Sequence, residues 1–179
     1  MKKRIVLLSG GSGGHVFPSI AISEELLKKK IDHVFLTDER CEKIIKNHNV
    51  EYKVIQSSKF SKKLIDFPII FFKTLYGFIQ SFFFLINKKP KCIIAFGGYT
   101  CFPSLVAAKL LKIPIFVHEQ NAVMGKANRF YSKFAVKTIL GFKETKYSSD
   151  NTIHLGTPVR KSFKKKIINY KSSNIRILV

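Results

Sequence analysis

Cysteine is scarce in this 179-residue chain: Cys41, Cys92 and Cys101 are the only three, and no two stand at C-x-x-C spacing. An odd number without metal-ligand spacing excludes a disulfide framework and a zinc site, and it fits a reducing cytoplasm. Acidic side chains are also few, 11 against 32 basic ones, for a formal net charge of +21. With only 10 Gly and 6 Pro and no low-complexity tract, a collagen-like or disordered chain is excluded. The basic start Met1-Lys2-Lys3-Arg4 imitates a signal peptide, but its apolar run, Ile5 to Leu8, ends at Ser9-Gly10-Gly11. So short a run reads as a buried first strand instead.

What remains is a hydrophobic fraction of 46% in one ordinary domain's length, enough for a core but too short for two full α/β domains. Short β-branched runs at Ile5 to Ser9, His33 to Thr37, Tyr52 to Ile55, Cys92 to Phe96, Ile115 to His118 and Lys137 to Leu140 predict strands. Between them, helices are expected near Pro18 to Lys30, Arg40 to Asn47, Pro68 to Asn87, Pro103 to Leu111 and Lys126 to Phe134, with Pro18 and Pro103 near helix starts. Such alternation predicts an α/β fold: a Rossmann-like parallel sheet with helices on both faces. The end, Asn174 to Val179, reads as a further strand with no helix after it. The expected organisation is therefore a domain over 1–165, then a linker and the first strand of an interrupted second domain over 166–179.

The sharpest local signal is Ser9-Gly10-Gly11-Ser12-Gly13-Gly14-His15, placed after the first strand and before a helix. Glycines there allow a tight turn and close approach of a ligand, while the helix N-terminus offers free N–H groups to an anion. It is not a P-loop, because the Gly-Lys-[Ser/Thr] ending is missing. The device recurs at Gly97-Gly98-Tyr99-Thr100, after the strand ending at Phe96. Two such turns at the carboxyl ends of parallel strands would frame one crevice for a diphosphate or sugar phosphate. Asp38, at the end of the second strand, keeps a nicotinamide dinucleotide open as a competing ligand, since an acid there can grip a ribose. His15 follows the first turn and could serve as a general base. His118-Glu119-Gln120-Asn121 places a base, an acid and two amides at another strand end, and Arg160, after Gly156-Thr157-Pro158-Val159, could hold a phosphate.

From Phe67 to Phe84 lie seven of the chain's 17 Phe, flanked by Lys59, Lys62, Lys63, Lys88, Lys89 and Lys91. At helical spacing Lys73, Gly77, Gln80, Ser81 and Lys88 gather on one side and leave a broad apolar arc. A transmembrane span is long enough but would bury Lys73 and several hydroxyl and amide groups in hydrocarbon. A wholly buried helix with a lysine rim is the plain alternative. The preferred reading packs one side on the sheet and shows Phe72, Leu75, Ile79, Phe82 and Phe83 to an anionic membrane surface. Nucleic acid is not expected, because the rings cluster with aliphatics rather than alternating with basic residues along a strand.

Taken in order, Gly10-Gly11-Ser12-Gly13-Gly14-His15-Val16-Phe17-Pro18, Gly97-Gly98-Tyr99, His118-Glu119-Gln120-Asn121 and Pro158-Val159-Arg160 resemble the MurG-type N-acetylglucosaminyltransferases of peptidoglycan synthesis. The resemblance covers nearly the whole chain but only that family's amino-terminal, acceptor-side domain, half of a GT-B architecture. It implies transfer of GlcNAc from UDP-GlcNAc to lipid I without a cofactor or metal, by a peripheral protein on the cytoplasmic face of the membrane. This chain would supply the acceptor half and be inactive without the carboxy-terminal donor domain; a non-catalytic membrane- or partner-binding fragment is the other outcome. The resemblance further implies that Ser12, Gly13, Gly14, Asn121 and Arg160 contact the nucleotide sugar. The acceptor diphosphate would meet Gly11, Gly97, Gly98 and Tyr99, and His15 or Glu119 would lie near the attacking hydroxyl. Ser12, where Thr is common, and Cys101-Phe102-Pro103, in place of a more glycine-rich stretch, depart from the family pattern.

Overall fold

Seven short strands hydrogen-bond side by side, all parallel, in the order β3-β2-β1-β4-β5-β6-β7. The computed structural model describes residues 4–58 and 66–160. The strands are β1 (Ile5–Leu8), β2 (His33–Thr37), β3 (Tyr52–Val54), β4 (Cys92–Ala95), β5 (Ile115–Glu119), β6 (Lys137–Leu140) and β7 (Thr152–His154). The helices are α1 (Gly13–Lys28), α2 (Glu39–Ile45), α3 (Phe67–Lys88), α4 (Phe102–Leu110) and α5 (Lys126–Ser132), with a 3-10 turn at Tyr99–Cys101 leading into α4. The β-branched runs became strands because both faces of the sheet are covered, so inward and outward side chains alike are apolar.

Alternate residues of one strand serve two cores. Leu7 and Phe35 pack with Val16, Ile20, Cys41 and Ile45 of α1 and α2 on one face. Val6, Leu8, Val34 and Leu36 pack on the other with Leu85 of α3, Leu105 of α4 and Tyr131 of α5. After β3 the chain returns to the far side of β1 to form β4, so the order of strands reverses there. In open parallel sheets the carboxyl ends at such a reversal leave a crevice.

Several expectations are corrected. Helix α1 starts at Gly13, so Pro18 lies inside it rather than at its start. The helix keeps its course because the carbonyl that loses its N–H partner belongs to Gly14, which is exposed to water. Strand β7 was not expected; it is three residues long, with Ile153 alone between Thr152 and His154, so it carries no apolar run. The expected terminal strand Asn174 to Val179, and Lys59, Lys62 and Lys63, lie outside the described residues.

Helix α3 turns its rings outward as expected, with one exception, and packs on the domain through its small residues. Gly77, Ser81 and Leu85 are its buried positions, whereas Phe72 and Phe83 are 66% and 61% exposed. The small residues are where the helix touches the domain: a methyl group on Gly77 would lie 1.8 Å from the Gln56 carbonyl oxygen. Ser81 Oγ donates to the Gly77 carbonyl (2.7 Å) and shares a 2.7 Å hydrogen bond with Ser104 Oγ of α4, and Gln80 Oε1 accepts from the Gln56 N–H (2.9 Å). Phe72, Leu75, Ile79 and Phe83 thus face outward. Phe82, expected among them, is half-buried and packs against the core and Phe78, ring centroids 5.7 Å apart.

Candidate functional site

The two glycine turns meet. They leave the neighbouring strands β1 and β4, whose last residues Leu8 and Ala95 are partners in the ladder. A methyl group on Gly98 would lie 2.9 Å from the Gly10 carbonyl oxygen, and one on Gly10 would lie 2.3 Å from Thr100 Oγ1. Gly11, Gly97 and Gly98 have φ of +88°, +100° and +90°, in the region that only glycine enters without strain. Cys101, fully buried, donates its thiol hydrogen to the Gly97 carbonyl (3.0 Å) and so fastens the second turn from below.

Ser12 is the N-cap of α1, with its side chain making no cap bond. Among the described residues the N–H groups of Gly13, Gly14, Gly97 and Gly98 have no acceptor, which leaves an array of donors at a positive helix end. Gly11 does not join it, because its N–H donates to Asp38 Oδ2 (3.0 Å). The Asp38 carboxylate is held on both oxygens: Oδ1 accepts from the Cys41 N–H at the start of α2 (3.0 Å), and Oδ2 also accepts from Arg40 (3.1 Å). Buried and holding three donors, it ties the first turn to α2. Arg40 also donates to the Tyr99 hydroxyl, bridging the two turns from the outside. Arg160 lies over the Phe17 ring at 4.1 Å, and the same ring packs 3.0 Å from where a methyl on Gly13 would be. That stacking brings a guanidinium beside the α1 N-terminus.

The two expected bases part company. Glu119 has no exposed surface, and both its oxygens are occupied. Oε1 accepts from the Asn121 backbone N–H (3.0 Å) and side-chain amide (2.8 Å), while Oε2 accepts from the Gly125 N–H (3.0 Å) and Asn128 Nδ2 (2.9 Å). Four donors around one carboxylate leave it no lone pair for a substrate, so it organises the loop between β5 and α5. His15 is different. Its Nδ1 is 2.8 Å from the Phe96 carbonyl oxygen, which can accept a proton carried there, and 2.6 Å from Gln120 Nε2. In the tautomer with the proton on Nδ1, Nε2 is the nitrogen with a free electron pair, on a side chain that lines the main cavity.

That cavity, of about 570 Å³, is lined by His15, Gly98, Tyr99, Glu119, Asn121 and Asn128, with the mutually touching rings of Phe102, Phe130 and Tyr131 forming an apolar end. One residue of its lining, Asn128, has a buried polar atom without a partner among the described residues, Oδ1. Such an atom costs about 1–3 kcal/mol unless something supplies its hydrogen bond, and native proteins tolerate the cost at working sites. Sequence reading missed Asn128 and the aromatic end. Asn128 carried a signal, a lone polar residue on the buried side of a short helix; Phe102, Phe130 and Tyr131 looked like ordinary core.

His118 supplies a pH test of this region. Burial, the largest cause, holds its imidazole below the ordinary value of 6.5, against the opposing effects of Gly156, Gln120 and Glu119. A base whose folded pKa is depressed binds more protons when unfolded, so its contribution to stability is complete above about pH 6.5 and is lost as the pH falls below that value. Thermal unfolding followed between pH 7.5 and pH 5 should therefore show a smaller loss for His118→Phe than for the wild type; equal slopes would place the titration elsewhere.

Comparison with known proteins follows the same lines. Residues 5–140 match the model of the glycosyltransferase family 28 N-terminal domain. The chain is 38% identical over 90% of its length to a UDP-N-acetylglucosamine–N-acetylmuramyl-(pentapeptide) pyrophosphoryl-undecaprenol N-acetylglucosamine transferase of Rickettsia bellii, and covers 46% of that protein. A Borrelia turicatae protein of the same name is 42% identical over 90% of this chain, which covers 47% of it. The chain thus spans about half the length of the curated relatives it matches. Among solved structures, Acinetobacter baumannii MurG superposes with a TM-score of 0.75 at 27% identity, over 89% of this chain and 47% of that one. A UDP-N-acetylglucosamine 2-epimerase from Rickettsia bellii, 13% identical with a TM-score of 0.64 over 88% of this chain and 45% of its own, shares the fold.

Proposed function

Because this chain belongs to the glycosyltransferase family 28 N-terminal domain family, we propose that it is the acceptor-side half of an enzyme that transfers GlcNAc from UDP-GlcNAc to lipid I. The observation that carries the reading is the meeting of the two glycine turns beside His15, on the wall of a cavity with a polar and an apolar end. The sugar and diphosphate of the acceptor occupy the polar end. Gly97 and Gly98 donate their free N–H groups to its diphosphate, with Tyr99 alongside.

His15 Nε2 takes the proton from the C4 hydroxyl of the muramoyl sugar as that oxygen attacks C1 of GlcNAc. The bond from C1 to the diphosphate oxygen breaks with its electron pair, UDP leaves, and the configuration at C1 inverts. Charge on the departing diphosphate is met by the Ser12, Gly13 and Gly14 end of α1 and by Arg160, donors already fixed before the reaction. Asn121, oriented by Glu119, holds the GlcNAc unit. A second domain bearing most of the UDP-GlcNAc site completes the enzyme.

The outward face of α3 supports peripheral attachment at the cytoplasmic membrane surface. The helix is long and apolar enough to cross a membrane, but its seam of Gly77, Ser81 and Leu85 is packed on the domain, which makes it a ledge rather than a span. Fully burying one Phe side chain is worth about 1.5–3 kcal/mol, so a few inserted rings suffice for reversible attachment, and lysines such as Lys73 add attraction to anionic lipid.

The test is reconstitution. Incubated with lipid I and radiolabelled UDP-GlcNAc, the chain should bind lipid I but transfer no label; adding the carboxy-terminal half of the Rickettsia bellii relative should start transfer. Failure to bind lipid I, or transfer by the chain alone at the rate of the intact relative, would refute the proposal.

A further inference from the structure

A second hollow, of about 270 Å³, lies between α3 and α4 and is almost wholly apolar. Phe71, Leu75 and Phe78 form its α3 side; Pro103 and Val106 form its α4 side; Thr74 is the lone polar residue in its wall. It adjoins the main cavity through one side chain, since Phe102 lines both. Phe102 is half-buried at the first turn of α4, with its ring centroid 6.4 Å from that of Phe130 at the apolar end of the main cavity. Phe71 and Leu75 of its wall belong also to the exposed apolar face of α3.

We infer that this groove seats the first isoprene units of the acceptor's polyprenyl chain, carrying it from the diphosphate past Phe102 to the outward face of α3. The inference rests on the acceptor reading above and adds to it the route of the hydrocarbon. A chain attached to a diphosphate at the glycine turns must leave the cavity by one of its ends. The polar end would expose hydrocarbon to water; the Phe102 end offers an unbroken apolar path.

The experiment measures binding of lipid I analogues whose polyprenyl chain is cut to four, two or no isoprene units, by calorimetry with this chain in the absence of micelles or vesicles. Removing the last two units should weaken binding by about tenfold or more, because several buried carbon atoms are lost. Val106→Trp, which fills the groove, should abolish that dependence while leaving the analogue without isoprene units bound as before; Val106→Phe, a smaller change, should reduce it in part. Equal affinity for all three analogues, or an unchanged dependence in both variants, would overturn the groove and leave the acceptor reading standing. If no analogue binds where the intact Rickettsia bellii relative binds them all, the acceptor reading itself falls.

Discussion

Replacement of His15 by Ala is expected to lower turnover of the reconstituted enzyme by about 10²- to 10⁴-fold, the usual contribution of a positioned general base. Lipid I binding should change little, because the glycine turns and the apolar end of the cavity stay as they are. The expectation comes from how the imidazole is held. With its Nδ1 proton on the Phe96 carbonyl at 2.8 Å, the imidazole presents Nε2 as the acceptor on the cavity wall. Asn at this position could keep a bond to Phe96 but has no basic nitrogen, so it should be as slow as Ala. The measurement is single-turnover transfer of GlcNAc with saturating lipid I. A rate within about tenfold of wild type for His15→Ala would remove His15 as the base.

Glu119→Gln is expected to unfold the protein more easily rather than to slow it selectively. Each carboxylate oxygen accepts two hydrogen bonds inside a site with no exposed surface. An amide replaces one acceptor with a donor, and whichever way it turns, its NH₂ meets two groups that also donate. Hydrogen bonds to a buried charged group are worth about 1.5–3 kcal/mol each, so a loss of about 2–4 kcal/mol is expected after relaxation. For a chain of this size that corresponds to a fall in Tm of about 5–15 °C. Circular dichroism during heating checks it. A variant with wild-type Tm and a large loss of turnover would instead return Glu119 to the role of catalyst.

The sheet was readable from the sequence because every central strand is a β-branched run bounded by turn residues, and the parallel order follows from the long helices between runs. His33 to Thr37 and Lys137 to Leu140 hold to the residue. Boundaries slipped where tertiary contacts overrode a local rule, as at Pro18, or where a strand was too short and polar to signal itself, as at β7. The turns, His15 and the His118-Glu119-Gln120-Asn121 segment were visible as motifs, but not their division of labour. That Glu119 is saturated and Gly11 is spoken for by Asp38 depends on Asn128 and Asp38, 9 and 27 residues away along the chain. Helix α3 was read with Phe72, Leu75, Ile79 and Phe83 outward, as they are, but Phe82 turned to the core; helical spacing separates polar from apolar sides without saying which small residues the domain covers. Here Gly77 and Ser81 are small enough to let Gln56 and α4 come close, and that closeness outweighs the usual preference for burying rings.

The seam has a consequence for orientation. A helix held by greasy packing can roll by a fraction of a turn and find other partners, but one keyed by a bare Cα against a carbonyl and by paired serine hydroxyls has a single angular setting. The outer rings are therefore aimed by atoms on the opposite side of the same helix. Substitutions among those rings can retune grip on the bilayer without tilting the domain, whereas adding one carbon at the seam would turn the whole keel.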